Sequence, residues 1–160
     1  MKRIWLLIVC VMMAGIATGY AKDDAAYTNY EISGAGTATQ GCYLVEVALN
    51  SKKKNIDDRE LKRAAVHGVL FRGFSSKEHR QHQRPLAGSA ANEAQHADFY
   101  KEFFDEAGTA PSYASIVPGS KSITKSGKYY VIKATVTVNK EELHKYLSQN
   151  GIISNLNKAF

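Results

Sequence analysis

Residues 56–74 read IDDRELKRAAVHGVLFRGF, and in this stretch the signals for a helix start, a helix face and a helix stop agree. Asp57 is a capping residue with Glu60 three positions on, the pattern of a reciprocal capping box. Ile56 before the cap and Leu61 after it form a hydrophobic staple. Leu61, Ala64, Ala65, Gly68, Val69 and Arg72 then recur at i, i+3, i+4 spacing, with Val66 and Leu70 widening the apolar stripe. Gly73 stops the helix in a left-handed conformation, with Phe74 folding back toward Val69. Gly68 costs about 1 kcal/mol relative to Ala inside a helix, which close approach of the helix backbone to a strand would justify. His67 falls on the flank of the stripe and reads as a surface or partly satisfied side chain.

Working outward, Cys42 to Leu49 alternates Tyr43, Val45, Val47 and Leu49 against Cys42, Leu44, Glu46 and Ala48. With Glu46 as its one charge, this is a strand buried on both sides and central in a sheet. SKKKN (51–55) ends it in solvated charge. Upstream, residues 22–40 form a loosely ordered leader with a short strand near Tyr30 to Ser33.

Downstream, residues 75–91 lack a period and read as a long mobile loop. Asn92 caps a second helix in which His96, Phe99, Tyr100, Phe103, Phe104 and Ala107 share a core face and Gly108 closes the run. Asp98, Glu102 and Asp105 lie on its wet side. YASIVP (113–118) is a short strand, and GSKSITKSGK (119–128) is strand and turn. Tyr130, Ile132, Ala134, Val136 and Val138 then alternate against a half-wet face. Asn139 with Glu142 caps a last helix, Leu143, Tyr146 and Leu147 point inward, and Gly151 with Ile152 closes it. These elements predict an α+β fold, a single domain over 41–160. Its antiparallel or mixed sheet has three to four strands, with about three helices on one face.

The first residues set a compartment. Lys2 and Arg3 precede an apolar run from Ile4 to about Ala17, then small residues and charge, which is the layout of a secretory signal peptide over 1–21 cut after Ala21. The expected destination is the periplasm or cell surface, with no transmembrane segment left after cleavage. Cys10 lacks the small preceding residue of a lipoprotein signal, since Val9 stands there. The chain has 21 Lys+Arg against 15 Asp+Glu, a net charge of +6, and loss of Lys2 and Arg3 leaves 19 against 15. Cys42 alone survives cleavage, so no intramolecular disulfide or paired-thiolate metal site can form. In its strand-like surroundings it reads as a buried, inert thiol.

Candidate chemistry gathers in the 75–91 loop. His79 and His82, with Glu78 and with His96 at the next helix, supply imidazole and carboxylate ligands for a zinc hydrolase. The zinc-protease signature, two histidines four apart on a helix with a glutamate between, is missing. Arg72, Lys77, Arg80 and Arg84 against Glu78 make a basic patch suited to an anionic envelope ligand. Nucleic acid is disfavoured, because the compartment is wrong and no aromatic side chain interleaves those charges. No nucleophile elbow is present, and Gly34, Gly36 and Gly41 precede a strand rather than opening a helix. Nothing calls for a cofactor. The chain therefore reads first as an exported cell-envelope binding or assembly module without catalytic activity. Its partner would be an envelope protein or an anionic glycan or lipid surface. A metal-dependent hydrolase and an anionic-ligand receptor are the alternatives.

Two resemblances accompany that reading. AAVHGVLFRGF (64–74), RPLAG (84–88) and FYKEFF (99–104), over roughly residues 42 to 138, resemble a group of small uncharacterised exported proteins of Bacteroidetes, which implies no catalytic residue. VIKATVTVNKEELHKYLSQNGI (131–152) is similar to the closing strand and helix of the flagellar-assembly T protein and related envelope lipoproteins, which implies a non-catalytic envelope module.

Overall fold

The structure, a computed structural model, describes residues 29–76, 82–88 and 90–154. The expected signal peptide, together with Lys77, His79 and Arg80, lies outside the described residues. In chain order the elements are β1 (Tyr30–Gly34), β2 (Cys42–Ser51), α1 (Asp58–His67), a π-helical turn (Gly68–Arg72), β3 (Phe74–Ser75) and β4 (His82–Gln83). There follow α2 (Ala90–Gln95), α3 (Ala97–Phe104), a 3-10 turn (Ala110–Tyr113), β5 (Ala114–Ile116), β6 (Ser122–Ser126), β7 (Tyr129–Asn139) and α4 (Lys140–Gln149).

The fold is α+β, and its strands are antiparallel. β1, β2, β7 and β5 lie side by side, and β6 joins the same outer edge of β7, so the main sheet has five strands rather than the expected three to four. β3 and β4 make a separate two-stranded ribbon inside the segment read as loop. β2 is central, as its apolar run implied. It pairs with β7 from Cys42 opposite Asn139 to Ser51 opposite Tyr130. That register puts Val45, Val47, Leu49, Ile132, Ala134, Val136 and Val138 on one buried face. The other face carries half-buried Leu44, Glu46, Ala48, Thr135 and Thr137. Cys42 opens the strand half-buried rather than buried.

α1 lies against β2, β5 and β7 through buried Leu61, Ala64, Ala65 and Val66. Burying a Leu or Val side chain contributes about 1.5–3 kcal/mol. Asp57 caps α1 by accepting from the Arg59 amide at 3.0 Å, while the Glu60 amide donates to the Asp57 carbonyl. The reciprocal half of the box is not made at Glu60 Oε2, which is buried without a hydrogen-bond partner. Asn139 caps α4 by accepting from the Glu142 amide.

The end of α1 departs from a plain glycine stop. Gly73 does sit at φ +66°, but its amide donates back five residues to the Gly68 carbonyl, so the last turn widens into a π-turn. The carbonyls of Val69 and Leu70 accept from the amides of Leu86 and Ala87. The returning chain thus satisfies the helix end from outside. Gly68 answers the close approach expected of it. A Cβ there would lie 2.6 Å from Ile32 Cδ1 and 3.1 Å from Tyr30 Cε2, on β1. The second helix is also broken in two, because His96 takes φ −116°, ψ 36° between α2 and α3.

Candidate functional site

Polar groups meet aromatic side chains in a network at the end of α1 and in a recess beside α3. In the network the helix delivers His67 beneath β1 and α2, which decides between the surface and the partly satisfied positions that its place on the flank of the stripe left open. Its side chain is 11% exposed, and its Nε2 lies 3.1 Å from Glu93 Oε1 on α2. Its Nδ1 lies 2.7 Å from the Tyr30 hydroxyl on β1. Burial raises the Tyr30 pKa above the ordinary phenol value, so the hydroxyl stays protonated and donates. Nδ1 is then the acceptor, and Nε2–H donates to the carboxylate. Burial also lowers the pKa of His67, outweighing the opposite pull of Glu93, which keeps the imidazole neutral. The rings of Tyr30, Phe71 and Phe104 surround it edge-on at 5.0–5.8 Å.

Arg72 closes this network from outside. Its guanidinium lies 4.2 Å over the Tyr30 ring and donates to the Tyr30 carbonyl at 2.7 Å. A parallel chain holds α2 down: Tyr100 Oη donates to Asn92 Oδ1, and Asn92 Nδ2 donates to the Ile152 carbonyl. With both ring nitrogens of His67 engaged and its phenol partner held protonated, this arrangement ties β1, α1 and α2 together.

The second place is a recess of about 480 Å³ between the end of α3 and α4. Phe99, Phe103 and Tyr146 line it together with Gly108, Glu102 and Asp105. Phe103 stacks on Phe99 at 5.8 Å and on Tyr146 at 5.7 Å, and Tyr113 backs Tyr146 at 5.6 Å. The core-face spacing of α3 brings these rings together, leaving Phe99 half-buried. The wet-side carboxylates follow from the same helical period. Residues 97–108 carry Asp98, Glu102, Asp105 and Glu106 against Lys101, a local reversal of sign in a basic chain. The sequence signal was there in the acidic flank, but nothing local said that α4 would supply the opposite wall.

Of the residues singled out from sequence, Arg72, His82, Arg84 and His96 are described. Arg72 is committed to Tyr30. Arg84 is exposed, and His82 on β4 lies 3.1 Å from the Ser75 hydroxyl. His96 is half-buried at the break before α3, where its carbonyl accepts from the Tyr100 amide. Among the described residues, no group of three or more His, Cys, Asp or Glu side chains is placed to hold a metal ion, and no helix is long and apolar enough to cross a membrane. Comparison with protein-family models, curated proteins and solved structures finds no match to this chain.

Proposed function

We propose that this protein is an exported cell-envelope binding or assembly module without catalytic activity, and that the recess between α3 and α4 seats a cationic side chain of an envelope protein. The observation that carries the reading is the presence of stacked rings, Phe99, Phe103 and Tyr146, and of Glu102 and Asp105 in one lining. Aromatic faces attract a cation through their quadrupole, and carboxylates beside them add charge and direction. The compartment rests on residues 1–21. Within this reading the helices form a single layer over the sheet face built from Val45, Val47, Ile132 and Val136.

The test is titration of the isotope-labelled chain from Lys22 onward, which retains every described residue, with a short arginine-rich peptide. Amide resonances of Phe99, Glu102, Gly108 and Asn150 should shift saturably. The double variant Glu102→Gln, Asp105→Asn should bind up to roughly fivefold more weakly per carboxylate. Shifts scattered away from the recess, or unchanged in the variant, would sink the reading.

A further inference from the structure

The register of β2 with β7 gathers charge that the sequence keeps far apart. Ser51 ends β2 opposite Tyr130, and Tyr130 is opposite Lys125 on β6. Lys52, Lys53 and Lys54, which continue past Ser51, therefore emerge at the same end of the sheet as the β6–β7 turn with Lys125 and Lys128. Lys121 and Lys133 lie a few residues further back on the same hairpin, and all seven lysines are exposed. Among the described residues, the acids closest in sequence to this end are Asp57 and Asp58. Asp57 caps α1, and Asp58 pairs with Lys121 at 2.6 Å.

A second observation coincides with this charge. The exposed large hydrophobic side chains among the described residues are Ile123, 39% exposed, and Tyr129, 48% exposed, and both are on this hairpin. Ile123 is directly opposite Ile132 and Tyr129 directly opposite Ser126, so by strand parity the two point to opposite faces. The hairpin thus carries Ile123 with Lys125 on one face and Tyr129 with Lys133 on the other.

We propose that this end of the sheet docks on an anionic lipid bilayer, with the hairpin entering the headgroup layer edge-on. Tyrosine settles at a membrane interface, where its ring is apolar and its hydroxyl wet, and lysine stems lie along apolar surface while their ammonium groups reach the phosphates. Clustered lysines without arginine suit diffuse headgroup charge rather than bidentate capture of one phosphate. Single-stranded nucleic acid fits less well, since an aliphatic Ile123 offers no ring on which a base can stack. This surface is separate from the recess between α3 and α4, and each stands or falls without the other.

Trp5 is the chain's one tryptophan and lies within residues 1–21, so the Tyr129→Trp variant of the chain from Lys22 onward carries a single reporter. With vesicles of equimolar phosphatidylglycerol and phosphatidylcholine, its fluorescence should shift to the blue and be quenched by brominated acyl chains. Vesicles of phosphatidylcholine alone should leave it unchanged. In sedimentation assays, Lys125→Gln and Lys128→Gln should each weaken binding to the anionic vesicles about fivefold, additively and less so at high salt. Tyr129→Ser should weaken binding at every salt concentration. The proposal is overturned if anionic vesicles do not bind, or if they bind without the tryptophan shift. It is equally overturned if a soluble polyanion or oligonucleotide binds as tightly as the vesicles. If the lysines only guard the β6 edge against strand pairing, their variants will self-associate with vesicle binding unchanged, and that too refutes it.

Discussion

At the end of α1, Arg72 lies over Tyr30, and His67 is held between that tyrosine and Glu93. At the β6–β7 hairpin, Tyr129 stands among Lys125, Lys128 and Lys133 with half of its surface open. Both regions combine an aromatic ring with positive charge, and they differ in what covers them. Tyr30 is buried and the His67 side chain largely so beneath α2 and the π-turn, so the hydroxyl and the imidazole must find partners inside the protein, while Arg72 covers the ring from the exposed side. Among the described residues nothing buries Ile123 or Tyr129 at the hairpin, so the same residue types stay available to something outside. Covering layers, more than residue identity, separate a structural cation–aromatic pair from a candidate docking surface.

The largest effect should come from emptying the covered region. Leu61→Ala removes a fully buried side chain of α1 and should cost about 2–5 kcal/mol, measured by urea unfolding. A loss of well under 1 kcal/mol would mean that the helix is not held against the sheet as described.

Next is His67→Phe, which leaves the buried Tyr30 hydroxyl without its acceptor and should cost about 1–3 kcal/mol at neutral pH. This substitution also has a pH signature. Burial holds the folded imidazole below its ordinary value of 6.5, so just under that pH the unfolded chain binds more protons than the folded one. The contribution of His67 is therefore full above pH 6.5 and is lost as the pH falls below it. Wild-type melting temperature should decline on acidification through this window, and the decline should be shallower in His67→Phe. Equal slopes in the two proteins would show that His67 is not the group responsible.

The smallest effect belongs to the open region. Tyr129→Ser should change stability by no more than about 0.5 kcal/mol, read from the same unfolding curves, because the side chain buries little. A larger loss would place Tyr129 in the fold's own packing and erase the contrast with Tyr30.

Much of the scaffold was legible residue by residue. Asp57 and Asn139 are caps, the even-numbered residues of β7 from Tyr130 to Val138 turn inward, and Gly73 and Gly151 stop their helices with positive φ. Each is a local statement, settled by a side chain and its neighbours within a turn. β4 hid in a segment of Ser, Gly and Pro because its two residues carry no period and pair only once Phe74 and Ser75 are in place. The candidate sites were less legible. The basic loop drew attention for its charge density; of its cations, Arg72 lies over the Tyr30 ring, Arg84 is exposed, and Lys77 and Arg80 lie outside the described residues. Lys52–Lys54 read as the solvated end of a strand until the pairing of β2 with β7 set them beside the hairpin.

The amino-acid sequence by itself determined where helices begin and end and which strand parity is apolar, since those follow from backbone hydrogen bonding and side-chain period over a few residues. Tertiary structure alone decided that His67 would be roofed by Glu93, that Leu86 and Ala87 would satisfy the carbonyls of the π-turn, and that α4 would wall the recess beside α3. It also decided that Lys52, Lys53 and Lys54 would share one end of the sheet with Lys125 and Lys128. Those outcomes depend on strand register and on contacts between residues tens of positions apart, and no local preference encodes either.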